Sequence, residues 1–324
     1  MSAFIDKTRA RYGVEPVCRT LGVSASAYYQ RATSERSERS VEDERLVARI
    51  RTVHKENFEC YGYPRVWHEL QRQGEQVGRD RVARLMRQEC IKGAKRRGKP
   101  WRTTIADPAA QKRPDLVNRD FTATAPDRLW VGDLTYLRTW EGRMYLAFLI
   151  DVYSRMIVGW QIASHMRCDL VLDALRMALG TRQPGADVQL VAHTDQGSQY
   201  GAEDYTQVLS DHHVLASVGI VGDCYDNALS ESFVDSYKTE LIADRVWRTN
   251  AQLQLATVTY VGWFNHRRLH SSIANRPPIE HEREYWARVA LGFETFPAQA
   301  APTVTDLRDV LTVASPMYGS EQLH

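Results

Sequence analysis

Three strand-like runs crowd into one stretch of the chain: LWVGDLTYL (Leu129–Leu137), YLAFLIDVY (Tyr145–Tyr153) and MIVGWQI (Met156–Ile162). They are rich in β-branched and aromatic residues, which suit a pleated, largely buried surface. Beyond them the texture alternates. Cys168–Leu179 reads as helix, Val188–His193 as strand, Glu203–Ser210 as helix and Leu215–Val218 as strand. Residues 226–241 and 252–264 then read as further helices. Neighbouring strands followed by alternating helices and strands imply a mixed sheet with helices packed on it, an α/β domain.

The front of the chain is built differently. Tyr12–Tyr29 (YGVEPVCRTLGVSASAYY) reads as helix, a tight turn at Leu21-Gly22-Val23 and a second helix capped by Ser24. This is a helix-turn-helix pattern, and a plain helical hairpin fits it equally well. After a polar run, Leu46, Val47, Ile50 and Val53 repeat at helical spacing, and Val66, Trp67 and Leu70 form a second apolar face closed by a turn at Gly74. A third helix, about Arg79 to Glu89, sets Val82, Leu85 and Met86 inward and leaves Arg79, Arg81, Arg84 and Arg87 on its other faces. That basic surface suits a DNA groove or phosphate backbone, although a solvated basic helix has the same pattern.

Charge divides along the same line. Residues 1–113 hold 25 Lys+Arg against 14 Asp+Glu, and the remainder 17 against 26. A basic front implies a polyanionic partner. Residues 92–118 are basic and broken by prolines, and they read as a linker whose Lys95, Arg96 and Arg97 track a nucleic-acid backbone. The resulting division is 1–40 helix-turn-helix-like, 41–91 a second helical DNA-binding domain, 92–118 linker, 119–285 α/β core and 286–324 a peripheral tail.

The acids of the back half include three that sheet topology is able to gather. Asp133 interrupts an apolar strand, where an unpaired carboxylate is costly to bury. Asp195 follows VQLVAH at a strand's carboxyl end, where open sheets place ligands. Glu231 lies on a helix opposite the stripe Leu229, Phe233, Tyr237 and Leu241, with Asn227, Asp235 and Lys238 near it. Spacing alone favours a solvated acid for Glu231. Taken together, three hard oxygen ligands suit Mg²⁺ or Mn²⁺, and two such ions support phosphoryl transfer. Lys238 is placed to meet a phosphate. Asp151 is the chief decoy, a turn or ion-pair residue with Ser154 and Arg155 as local partners, and Asp226 reads as a helix cap. His193 reads as a group orienting water or phosphate, or as a packed strand-end histidine.

Other classes fare worse. No run approaches the ~20 apolar residues of a membrane span, and the start lacks a secretory apolar run. The five scattered cysteines form no CxxC pair, and there is no GxxxxGK[ST] or GxSxG motif. A cytoplasmic protein is expected.

The fragments YGVEPVCRTLGVSASAYY, YGYPRVWHEL, GRDRVARLMR, WVGDLTYL, LIDVYSRMIVGW, HTDQGSQY, DNALSESFVDSYKTEL and NHRRLHSS occur in this order, with 35 residues between Asp195 and Glu231. Over roughly residues 10 to 285 the chain resembles the second-frame transposase protein of the insertion-sequence-three family, whose core is similar to retroviral integrases. The resemblance implies a ribonuclease-H-like core behind an all-α helix-turn-helix region, with Asp133, Asp195 and Glu231 as the catalytic, metal-binding triad for a pair of Mg²⁺ ions, or Mn²⁺ in their place. It further implies that Lys238 contacts terminal transposon DNA, and that Asn265, Arg268, His270 and Ser271 contact DNA or support the core. The activity implied is cleavage that leaves a 3′-hydroxyl, followed by strand transfer through a circular intermediate.

Implied partners are transposon-end and target DNA, further copies of the chain on that DNA, and an upstream-frame protein or fusion, in a bacterial, nucleoid-associated setting without a membrane. Active members are usually fusions carrying a leucine zipper, and no sustained heptad repeat is visible here. The alternative expectation is therefore a DNA-binding regulator or inhibitor of transposition. A third is a ribonuclease acting on hybrids.

Overall fold

The computed structural model describes residues 2–32, 37–95, 117, 121–185, 188–219 and 228–293. It divides into two compact units, Met1–Lys95 and Arg96–His324. The first unit is helical: α1 (Ser2–Tyr12), α2 (Val14–Thr20), α3 (Ala25–Ala32), α4 (Glu38–Glu56), α5 (Tyr63–Arg72) and α6 (Arg79–Gln88). Gly22, at φ +66°, turns the chain between α2 and α3, and the Ser24 hydroxyl accepts from the Ala27 amide at 3.3 Å, capping α3. Ile5, Cys18 and Tyr28 are buried together in one small cluster. Leu46, Ile50 and Val53 of α4, Val66 and Leu70 of α5, and Val82, Leu85 and Met86 of α6 are the buried positions of the helices that follow.

The second unit is built on five strands: β1 (Leu129–Thr139), β2 (Gly142–Asp151), β3 (Ile157–Ala163), β4 (Val191–Thr194) and β5 (Leu215–Val218). Their spatial order is β3-β2-β1-β4-β5. β1, β2 and β3 pair antiparallel, whereas β4 and β5 run parallel to β1. The helices are α7 (Cys168–Arg182), α8 (Glu203–Asp211), α9 (Ala228–Tyr237), α10 (Asn250–His266) and α11 (Pro278–Ala290).

α7 packs on one face of the sheet, where Trp130, Leu149, Leu170, Leu175 and Leu179 share a core. The approach is close at β3, since a Cβ on Gly159 would stand 2.1 Å from the Ala174 carbonyl oxygen. On the other face, Phe233 of α9 meets Phe148 of β2 (ring centroids 4.5 Å) and Phe264 of α10 (5.3 Å). A buried phenylalanine contributes about 1.5–3 kcal/mol, so this aromatic stack fixes α9 against the sheet.

α9 does not run on as an α-helix to Leu241. Lys238–Ile242 form a π-helical turn, which accommodates one extra residue and redirects the side chains after Tyr237. Asn265 closes the far end of this layer. Its amide accepts from the Ile157 N–H and donates to the Ile157 carbonyl, both at 2.9 Å, so it supplies β3 with hydrogen bonds that no further strand provides.

Candidate active site

The β1–β4 register pairs Val131 with His193, and two residues further along each parallel strand stand Asp133 and Asp195. Side chains two apart share a face, and neighbouring strands lie ~4.8 Å apart. Asp195 is the first residue beyond β4. Gly132 makes room here, because a Cβ on it would meet the Thr194 methyl at 3.2 Å. The antiparallel pair Asp133–Phe148 brings Asp133 beside the aromatic that carries Phe233, and Glu231 sits two residues before Phe233 on α9. One acid thus comes from a strand interior, one from a strand tip and one from the covering helix.

Electrostatics ties the three together. Burial, then the charge of Asp195 and that of Glu231, push the Asp133 carboxyl up to about 7, while the Leu134 amide, donating to Oδ1 at 2.7 Å, pulls the other way. Asp195 Oδ1 accepts from the Gly197 amide at 3.0 Å, which folds the following turn around it. Glu231 is exposed. Among the described residues no three His, Cys, Asp or Glu side chains stand close enough to hold an ion as they are.

Lys238 opens the π-helical turn and lies over the Tyr136 ring at 5.1 Å. Burial lowers its pKa, and the Asp133 charge opposes that shift, which places the ammonium within reach of the acid's field. Two tyrosines not singled out from the sequence belong to these surroundings. Tyr136 underlies Lys238, and Tyr200, in HTDQGSQY, has its phenol raised by burial and by the charges of Asp195 and Asp133. The fragment containing Tyr200 was the available signal; nothing in the pattern of β1 marks Tyr136.

His193 is buried and its Nδ1 lies 2.9 Å from the Ser217 hydroxyl on β5, with Phe121 edge-on at 5.4 Å, so it is packed into the sheet. Asp151 accepts from Ser154 N (2.7 Å), Ser154 Oγ (2.7 Å) and Asp127 N (2.8 Å), a turn anchor as expected.

The basic residues separate into distinct groups. Arg79 and Arg87 on α6 and Lys95 beyond it are exposed, with Arg79 stacked on Tyr63. Arg81 and Arg84 instead each hold one oxygen of Asp43 on α4 at 2.8 Å. Arg96, Arg97 and Asp226 lie outside the described residues. Arg268 and His270, expected to face DNA or support the core, are buried at 4% and 8% exposure. Arg268 grips both oxygens of Glu240 at 2.6 and 2.8 Å and packs on Phe264, while Tyr260 donates to the same carboxylate at 2.8 Å. These side chains brace the π-helical turn against α10, and Glu240, 28 residues earlier, is the partner that spacing did not reveal.

Sequence comparison agrees with this architecture. Residues 41–99 match the family model for an HTH-like domain, and residues 123–224 and 212–278 match two models for an integrase core domain. The chain is 43% identical to the transposase for insertion sequence element IS629 of Shigella sonnei, over 89% of this chain and 98% of that one. It is 37% identical to the transposase for insertion sequence element IS904 of Lactococcus lactis, over 76% and 97%. Among solved structures, the HTLV-2 integrase catalytic core domain in complex with magnesium aligns at 12% identity with TM-score 0.38, covering 50% of this chain and 99% of that one. The BIV integrase catalytic core domain aligns at 19% identity with TM-score 0.36, covering 52% and 99%.

Proposed function

The chain belongs to the insertion-sequence-three family of transposases, and from that premise we propose that it cuts and joins DNA by phosphoryl transfer at Asp133, Asp195 and Glu231. The observation that carries the reading is the β1–β4 register, which points to Asp133 and Asp195 as neighbours across the two strands, on the sheet face where Phe233 anchors the helix that bears Glu231. The donor set fits a hard divalent cation. All three groups are carboxylates, and burial, together with the charges of Asp195 and Glu231, lifts Asp133 to about 7, a cost that a dication would relieve. Asp133 and Asp195 form the fixed pair, each held by a backbone amide, and Glu231 completes the set when it is drawn in from its exposed position.

When bound, one or two Mg²⁺ ions, or Mn²⁺ in their place, neutralise charge on the scissile phosphate and favour ionisation of the attacking hydroxyl. The protein holds the reacting groups in line and provides no covalent nucleophile. Water attacks the phosphodiester at the element's end, and the departing oxygen leaves as a 3′-hydroxyl. That hydroxyl attacks a second phosphodiester, forming one P–O bond as another breaks. Lys238, half-buried beside Asp133, meets a phosphate of the terminal DNA as a point charge. Arg79, Arg87 and Lys95 supply backbone contacts from the first unit. The chain acts as several copies on element-end and target DNA, together with an upstream-frame protein.

The test is Mg²⁺-dependent cleavage and joining of duplexes carrying the element's ends. Asp133→Asn, Asp195→Asn and Glu231→Gln should each abolish both steps and leave DNA binding intact. Undiminished strand transfer by any of the three would remove that residue from the site.

A further inference from the structure

The β1–β2 hairpin tip has a composition that neither the core nor the acidic site requires. Arg138 and Arg143 face each other directly across the two strands, and both are exposed. Like charges in that position destabilise a hairpin. Among the described residues neither arginine makes an ion pair. Between them Trp140 stands 71% exposed, with the Arg248 guanidinium 5.5 Å from the centre of its ring.

This tip is not a loose loop. The Trp140 amide donates to the Trp247 carbonyl at 2.9 Å. The Thr139 hydroxyl lies 2.8 Å from Asn250 Oδ1, and Glu141 accepts from the Asn250 amide at 2.7 Å. An aromatic face is therefore held in the open, with the Glu141 carboxylate occupied at the start of α10, the Arg248 guanidinium beside the ring, and Arg138 and Arg143 on the same hairpin.

We propose that this hairpin tip is a DNA contact: Arg138, Arg143 and Arg248 take backbone phosphates, and Trp140 stacks on an unpaired base. Nucleic acid is the partner that offers both anions and aromatic faces at such spacing. Polyanion binding also relieves the Arg138–Arg143 repulsion, which the free protein tolerates without compensation. The inference rests on the proposed reaction, because β1 carries Asp133 as well. Seven residues of strand separate Asp133 from Trp140, roughly 23 Å, or about seven base pairs at 3.4 Å each. The tip therefore meets the same DNA molecule at a distance from the bond being cut.

The experiment measures binding of the full chain to a duplex of about 30 base pairs, blunt or with a single-stranded overhang, by fluorescence anisotropy across a salt series. The double variant Arg138→Gln/Arg143→Gln should flatten the slope of log affinity against log salt by about 1.8, the release expected for two phosphate contacts. Trp140→Ala should weaken binding of the overhang duplex by about 5- to 150-fold, with a smaller loss on the blunt one, and Trp140→Phe should restore most of it. All these residues are exposed, so the tryptophan variants should melt at the wild-type temperature, and the arginine variant, relieved of like-charge repulsion, slightly above it.

An unchanged slope together with unchanged overhang binding would overturn the proposal, as would a change in oligomeric state by light scattering with no change in DNA binding, which would make the patch a protein interface. If the tip variants bind like wild type while Asp133→Asn still loses cleavage, the hairpin assignment fails and the active-site reading survives. If the wild-type chain neither binds nor cleaves element-end DNA, both fail.

Discussion

Asp133 and Asp151 stand three rungs apart on the β1–β2 ladder, paired with Phe148 and Trp130 respectively. Both carboxyls are lifted to about 7, and in both burial is the largest cause. Their company differs. Asp151 receives three hydrogen bonds from Ser154 and Asp127, and Arg182 lies behind it, clamped to Asp127 at 2.7 Å and to Glu282 at 2.7 Å. Asp133 has one backbone donor of its own, and its charged neighbours are chiefly acids. Donors and a guanidinium from the protein thus surround one of these buried carboxyls, and chiefly other carboxylates surround the other. Sequence context put both acids in apolar strands; the difference lies in what the fold brings to them.

The comparison breaks most sharply under substitution. Asp133→Asn should lower cleavage and joining by at least about 10³-fold, since metal-borne charge stabilisation amounts to several kcal/mol, while denaturation midpoints hold. Arg182→Met should do the reverse. It strands Asp127, Asp151 and Glu282 without their cation, so stability should fall by about 3–5 kcal/mol in a urea titration, with turnover per folded molecule retained. Equal loss of activity in the folded fraction of both variants would erase the distinction between the two carboxyls.

Smaller effects sharpen it. Lys238→Met should cost about tenfold in cleavage, ~1.4 kcal/mol, and little stability, because Lys238 is half-buried at the edge of the site. The pH dependence of Asp151 separates burial from hydrogen bonding. With its folded value above the unfolded one, the group binds more protons when folded between about pH 4 and 7. Its contribution to stability is then fully present below about 4 and is lost as pH rises through 7. The stability advantage of wild type over Asp151→Asn should accordingly shrink from pH 5 to pH 8 in urea titrations. An advantage that grows with pH would mean that Arg182 and Ser154 hold the carboxylate ionised.

How far the sequence foretold this depends on what kind of signal each part carries. The strand at Leu215–Val218 falls where periodicity placed it, and the α9 stripe buries Phe233, Tyr237 and Leu241 as expected. β4 begins at Val191, later than Val188, because Leu190 N bonds back to the Val188 carbonyl and keeps that stretch out of the ladder. The π-helical turn after Tyr237 was invisible, since one inserted residue leaves the i,i+4 pattern of the preceding turns intact. α11 crosses the expected end of the core at 285 and shows no apolar period, because its buried face includes Glu282 beside Pro278 and Tyr285. Its reason is Arg182, a hundred residues away. For Arg268 the resemblance left DNA contact and core support both open, and its buried partner Glu240 lies too far back in the chain for a local pattern to decide between them. Local patterns, then, named the elements; partners distant in the chain decided which charges face solvent.

The central claim is that Asp133, Asp195 and Glu231 take up divalent cations, and paramagnetic resonance of free Mn²⁺ titrated with the full chain addresses it directly. Wild type and Asp151→Asn should deplete the free Mn²⁺ signal alike, and Asp133→Asn should leave it close to that of buffer. Depletion by Asp133→Asn equal to that of wild type would contradict the assignment.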